Sequence, residues 1–593
     1  MKHSFHIPVL GLAFSIDSPI KVAKYGISSV LSIVDDELIE RIRHYYANLN
    51  GLSFTPINKH EIDGRAKRIT AYLNLVQELV EGQIQKIKTE TFSIGSDLSK
   101  YFEMLAEKTP IKELYNQMLS TVNSHQKEAM QQELRNAVSA GDIDVNIMAK
   151  VDKLNHSQHG DVLNERFSDA LSAIRGFANS NLSSSVVLSA GMNPRLYNYL
   201  ATLDCFFPNS AGKLQKRIIL KVSDFRSANI QAKYLAKKGI WISEFRVESG
   251  LNCGGHAFAT EGFLLGPILE EFRLKKETLI AELHSLYQES LSNKGITAPE
   301  TPYPIRFTAQ GGIGTPEEQN FLLTHYGFDG TGWGSPFLLV PEATTVDQAT
   351  LTALTQAEKE DFYLSGASPL GVPFNNFRHS TSEKKRLDRI AKGRPGSPCK
   401  KKYLITNTEF GPTPICTASR VYQHAKINEL SQQSLPENEY QKAYNKITEK
   451  VCLCDGLATS AYINYGIEKP REDLSVSICP GPNTVYFDNT YSLKEMVDHI
   501  YGRKEIPLKN ERNHFFINEL ELYITYLKNY VEETVQDAKS IKFVERFKAQ
   551  LLTGIEYYES ISNQVMENVS SKIESFKKEL TVAKNNLQTI KTP

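Results

Sequence analysis

Three glycine-rich clusters hold the residues best suited to chemistry. The first is Gly250-Leu251-Asn252-Cys253-Gly254-Gly255-His256, which follows an apolar run ending near Val247. An imidazole titrates near neutral pH and can act as a general base, so His256 is the candidate catalytic residue. The second, Gly311-Gly312-Ile313-Gly314-Thr315-Pro316-Glu317-Glu318, joins a strand-like run to a helix. Thr315, Pro316 and Glu318 fit an N-cap, a first-turn proline and a capping box. Glycines at such a turn let backbone N–H groups approach an anion, and the helix N-terminus adds positive potential. A lone Gly-Gly is explained as well by a tight turn that needs positive φ. The third cluster, Gly330-Thr331-Gly332-Trp333-Gly334-Ser335, ends the next run. Two such strand ends in succession match the phosphate site that barrels build after strands 7 and 8, and imply a phosphorylated cofactor or substrate.

Other polar residues are less specific. Lys221 ends its run facing the same loops, although pairing with a carboxylate such as Asp224 accounts for it equally well. Cys399, Cys416, Cys452, Cys454 and Cys479 fall in one stretch. Cys452-x-Cys454 lacks the two-residue spacing of zinc and iron–sulfur sites, so no metal is expected and the thiols are read as buried and reduced. Strand alternation would put these two thiols on one face, within reach of Cys479 or Cys416. Lys400-Lys401-Lys402 is read as a solvated run, Asp35-Asp36 as a helix start, and Arg378-His379 is assigned to no site.

These clusters need a frame that brings them together. Apolar, strand-length runs occur at 7–14, 28–34, 143–147, 185–189, 217–222, 241–246, 304–309 and 328–332, most of them followed by a helical crossover. Ser18-Pro19 opens the first crossover, and 227–238 is helical with Gly239 as its stop. Eight such units point to an α/β fold, a (β/α)8 TIM barrel with functional loops at the C-terminal strand ends. An open doubly wound sheet is the alternative. Residues 1–35 and 141–342 form the barrel in this reading, and 36–140 a helical insertion after strand 2. A mixed, cysteine-containing extension occupies 343–511. Residues 512–593 form a helical hairpin broken at Gly554, with a fraying polar tail.

Composition sets the outer bounds. The chain has 593 residues, 68 Lys+Arg and 68 Asp+Glu, and this zero balance argues against nucleic-acid binding. Seven cysteines are odd in number and sparse, which favours a reducing, cytoplasmic setting. No signal peptide and no membrane span is expected.

Cys253-Gly254-Gly255-His256, Ala309-Gln310-Gly311-Gly312-Ile313, and Asp329-Gly330 through Ser335-Pro336-Phe337-Leu338 together resemble the nitronate monooxygenase (2-nitropropane dioxygenase-like) family. Asp144-Val145-Asn146-Ile147 is similar to that family's Gly-Val-Asn strand, and Cys452-Leu453-Cys454-Asp455-Gly456-Leu457 to a segment of its longer members. The resemblance spans 5–342 and, more thinly, 450–500. It implies an FMN-dependent barrel that oxidises a small nitronate or nitroalkane-like carbon acid with dioxygen. His256 would remove the carbon-bound proton, and Gly311, Gly312, Gly334 and Ser335 would hold the FMN phosphate. Gly254 and Gly255 would lie against the flavin, and Lys221 would support its reduced edge. Gly11, Ala13, Asn146, Gln310 and Gly332 complete the expected cofactor contacts. The chain departs from the pattern at Asn252-Cys253, where the family has Glu-Ala, at Ser335 in place of Thr, at Gln310, and at Gly11-Leu12-Ala13. The alternatives are a flavin-dependent reductase fed by a nicotinamide cofactor, an electron-transfer subunit of a biosynthetic assembly, or a non-catalytic scaffold using its C-terminal helices. The expected partners are a small-molecule substrate and a redox partner, with homo-oligomers possible.

Overall fold

The structure is a computed structural model describing residues 3–148, 151–157, 161–189, 191–252, 261–509, 511–533, 537–567 and 569–590. Eight parallel strands close on themselves: β1 Phe5–Ile7, β2 Ser28–Ser32, β3 Ile143–Asn146, β4 Ser184–Leu188, β5 Lys216–Val222, β6 Ile242–Glu248, β7 Arg306–Gln310 and β8 Gly330–Gly332. Closure is made where β1 pairs with β8, with Phe5 beside Thr331 and His6 beside Gly332. The fold is therefore a (β/α)8 barrel and not an open sheet.

The first strand is shorter and earlier than the apolar run 7–14 indicates. Pro8 has no N–H for a ladder, and Gly11 turns the chain at φ 57°. Leu10 then donates to Ser15 Oγ at 3.0 Å and Ala13 to the Leu457 carbonyl at 3.1 Å, so this segment folds across the barrel mouth. The helix that follows is capped by Asp17, with Ser18 already inside it.

Between β2 and β3 lie five helices, Asp36–Leu49, Gly64–Thr89, Asp97–Met104, Pro110–Ser120 and Ser124–Ala137. Asp35 caps the first by accepting from the Leu38 N–H at 3.0 Å. Gly64–Thr89 packs on Asp169–Ala178, the helix after β3, where a Cβ on Gly176 would stand 2.7 Å from the Ala66 carbonyl. After β8, an antiparallel pair (Phe362–Ser365 and Phe374–Phe377) and the Leu453–Tyr465 helix lead the cover over the mouth.

The C-terminal region is three helices rather than a hairpin: Phe515–Glu533, Ala538–Val565 and Ser570–Gln588. Gly554 does not break the middle helix. It admits Leu264, whose Cδ1 would lie 2.5 Å from a Cβ there. The last helix does not fray, because Phe576, Leu580, Ala583 and Leu587 recur at helical spacing and are buried. Among the described residues, no helix is long and apolar enough to cross a membrane.

Candidate functional site

A cavity of about 170 Å³ sits at the C-terminal ends of β1 to β6. The barrel contributes Val9, Gly11, Asn146, Lys221, Glu248 and Asn252. The extension roofs it with Phe374, Tyr403, Leu404, Leu453, Leu457 and the thiols of Cys454 and Cys479. Its most ordered polar feature is Glu248 at the end of β6. That carboxylate accepts from Lys221 Nζ at 3.1 Å, Asn252 Nδ2 at 2.9 Å and Gln310 Nε2 at 3.2 Å. Ser189 Oγ, at the end of β4, lines the same cavity, buried and without a partner among the described residues.

Glu248 is a site residue that the sequence reading missed, although β6 carries its signal. Glu244, Arg246 and Glu248 alternate with Phe245 and Val247, so the charged side chains share one face of the strand, the inward one. Below the cavity, Arg246 donates to Glu244 at 2.8 Å and to Asp144 at 3.3 Å, and Thr308 donates to Glu244 at 2.7 Å. Burial raises the Asp144 carboxyl to about 6, with Arg246 opposing that rise. Burial also works to raise Glu244, but Arg246 and Arg306 outweigh it and hold this carboxyl at about 2. His6 is driven well below the usual imidazole value by burial and by Arg246.

The expected site residues fall into four groups. Gly11, Asn146 and Lys221 line the cavity, and Lys221 pairs with Glu248 rather than with Asp224, which caps the Phe225–Ala236 helix. Ala13 and Gln310 lie behind it. Ala13 is buried against Leu457, and Gln310 joins Glu248 to His6, 3.4 Å away. A Cβ on Gly332 would stand 2.6 Å from that of Gln310, so this glycine serves close packing. Gly254, Gly255 and His256 lie outside the described residues.

The glycine turns after β7 and β8 do not line the cavity. Gly311 and Gly312, at φ 114° and 81°, press against the turn after β6, where Cβ atoms would lie 2.6 Å from Ser249 Oγ and 2.5 Å from Leu251 Cδ1. The capping box at Thr315 forms as its residues indicate. Its Glu318 carboxylate also accepts from Gly314 N–H at 2.8 Å and pairs with Arg512 at 2.6 Å. Arg512 donates onward to the Gly312 carbonyl at 2.6 Å. The anion position at this helix N-terminus is thus taken by the chain's own carboxylate. Gly334 and Ser335 open the short helix Ser335–Leu339.

The five thiols are free, as the sequence indicates, with Cys416, Cys454 and Cys479 buried, but the local setting of Cys452 and of the lysine run differs from that expectation. Cys452 caps the Leu453–Tyr465 helix instead of lying in a strand. The Cys452 thiol donates to Asp455 at 3.6 Å and sits against the Cys454 thiol, as Cys399 does against Cys416. The contact with Cys454 holds Cys452 below the usual thiol range and, together with burial, pushes Cys454 well above it. Lys401 is not solvated. It is buried in an ion pair with Asp35 and donates to Tyr462 Oη at 3.0 Å. His379 is exposed and pairs with Asp361 at 2.8 Å. Among the described residues, no three His, Cys, Asp or Glu side chains converge on a metal position.

No protein-family model and no curated protein matches the chain. Two solved structures are similar at low identity. The enoyl reductase domain of MlnA from the macrolactin biosynthesis cluster of Bacillus amyloliquefaciens is 13% identical, with 76% of this chain and 89% of that one covered and a TM-score of 0.30. The nitroalkane oxidase from Streptomyces ansochromogenes is 9% identical, covering 84% and 95%, with a TM-score of 0.34. Scores this low carry no argument about the reaction, so the site must be judged on its own residues.

Proposed function

We propose that the barrel mouth binds a flavin, FMN by its resemblance, and that the protein is an oxidoreductase acting on a small carbon acid of the nitronate or nitroalkane class. The observation that carries this reading is Lys221, held at 3.1 Å by Glu248 and facing a cavity otherwise walled mainly by apolar side chains. The donor set suits the ring end of the group, since Gly11 offers bare backbone, and Asn146 and the Ser189 hydroxyl, unpartnered among the described residues, offer polar contacts. The cavity of about 170 Å³ is smaller than the whole group needs. At the phosphate end Glu318 takes the Gly314 N–H, Leu251 stands over Gly312 and the 330–335 turn does not line the cavity, so these turns do not fit the anion and the phosphate position rests on the resemblance alone.

Bound there, a flavin supplies two-electron acceptance that side chains lack. Lys221 places a fixed positive charge where negative charge would gather, and Glu248 fixes its position. The roof of Phe374, Tyr403 and Leu453 keeps water from the reacting carbon. His256, assigned by its motif, takes the carbon-bound proton.

The test is an absorbance spectrum with denaturing release of the chromophore, followed by oxygen consumption with nitronates. The wild type should be yellow and release FMN, and His256→Ala should keep the colour and lose turnover. A protein that stays colourless after FMN is added overturns the reading. Bleaching by NAD(P)H with no response to nitronates replaces the substrate assignment with a reductase.

A further inference from the structure

A second cavity, about 550 Å³ in volume, lies between the insertion and the extension. It has the size of a small-molecule site, which typically runs from about 300 to 1,000 Å³. The chain as a whole is neutral, yet eleven Lys and Arg side chains line this cavity against four carboxylates. All four are already engaged: Glu37 with Lys59, Glu472 with Arg41, Asp473 with Arg389, and Asp455 with Lys401 at 3.8 Å. Asp35 and Glu383, from behind the wall, meet Lys401 and Arg386.

After this pairing, Lys385, Lys400, Arg420, Lys469 and Arg471 keep no carboxylate at ion-pair distance among the described residues. Arg420 is the most constrained of them, because its backbone N–H is fixed on the Ser397 carbonyl at 2.8 Å. Its Nε is buried and makes no hydrogen bond among the described residues, and the same holds for Arg41 Nε. A buried guanidinium N–H without an acceptor costs free energy that an incoming anion would recover. Planar arginine forks match phosphate oxygens, and compact lysines supply point charges around them.

We propose that this cavity is a binding site for a small molecule bearing more than one phosphate group, with Arg420 as its anchor. Five unpaired cations exceed what a single phosphate needs, which favours a diphosphate over a monophosphate. The site is separated from the barrel cavity by one turn of helix. Cys452, Asp455 and Gly456 at the start of Leu453–Tyr465 face the basic side, and Leu453, Cys454 and Leu457 face the barrel side. A bound ligand therefore rests on the same helix that roofs the candidate active site. The proposal does not depend on the flavin reading.

Isothermal titration of the full chain with sodium pyrophosphate tests it, with orthophosphate and sodium polyglutamate as comparisons. Pyrophosphate should bind at one site and more tightly than orthophosphate. Arg420→Ala should weaken that binding by about tenfold, the scale of one charge-assisted contact. Because Arg420 is partly buried, the exposed triple variant Lys385→Glu, Lys469→Glu and Arg471→Glu provides a second arm that leaves the core untouched, and it should abolish saturable binding. Absence of saturable pyrophosphate binding to the wild type overturns the proposal, and so does binding that both variants leave unchanged. Tight polyglutamate binding without pyrophosphate binding would make the cavity a docking site for an acidic polypeptide instead.

Discussion

Inside the barrel, Arg246 is 2% exposed and meets Glu244 at 2.8 Å and Asp144 at 3.3 Å. Along the basic cavity, Lys385, Lys469 and Arg471 are exposed and meet no carboxylate at ion-pair distance among the described residues. Water makes the difference. A charge withdrawn from solvent needs a counter-charge and satisfied hydrogen bonds, whereas a solvated charge is screened and can remain unpaired. The barrel interior is thus a closed electrostatic unit, and the basic cavity is open to a ligand. Glu519 is a third case, buried with no cation beside it among the described residues. Burial raises its carboxyl to about 8, against the hydrogen bonds from the Leu265 N–H and from Tyr523 and Tyr558. It therefore remains protonated at neutral pH while joining the C-terminal helices to the barrel.

The largest effect should come from breaking the interior unit. Arg246→Met leaves Asp144 and Glu244 short of their shared cation and should cost about 3–5 kcal/mol of unfolding free energy, read from denaturant midpoints. A loss below about 1 kcal/mol would show that these buried charges do not need each other.

Glu519→Gln sharpens the same contrast through pH. The folded value near 8 lies above the ordinary 4.5, so the unfolded chain releases this proton first as pH rises. The wild type should lose stability between about pH 4.5 and pH 8 from this group, by up to about 5 kcal/mol. The glutamine variant should lack that slope. Melting temperatures measured across the range decide it, and parallel curves for both proteins would refute the assignment.

The smallest effect belongs to the basic cavity. The triple variant Lys385→Glu, Lys469→Glu and Arg471→Glu should change stability by no more than about 0.5 kcal/mol, because those charges are solvated. A larger loss in the same denaturant titration would mean that the cations are structural.

Much of the frame was legible because it is local. Eight apolar runs spaced by helical segments mark a (β/α)8 series, and Thr315-Pro316 with Glu318 marks a helix start wherever it occurs. The misreadings arise where a local pattern has two physical outcomes. Residues 7–14 look like a strand, but Pro8 removes a ladder donor and Gly11 permits a turn. Cys452 and Cys454 alternate as strand residues would, yet the first caps a helix and the second lies within it. Gly554 suggests a break, but it makes room for Leu264. Lys401 resembles its neighbours in a solvated run until Asp35, distant in sequence, comes to meet it.

The sequence by itself determined the order of strands and crossovers and the helix start at Thr315, since each depends on periodicity or on backbone chemistry within a few residues. Only the tertiary structure decided that the barrel closes, that Glu248 holds Lys221, that Glu318 and Arg512 fill the turn after β7, and that eleven cations gather in one cavity. Those outcomes depend on which distant side chains share a buried volume, and on whether water is excluded from it.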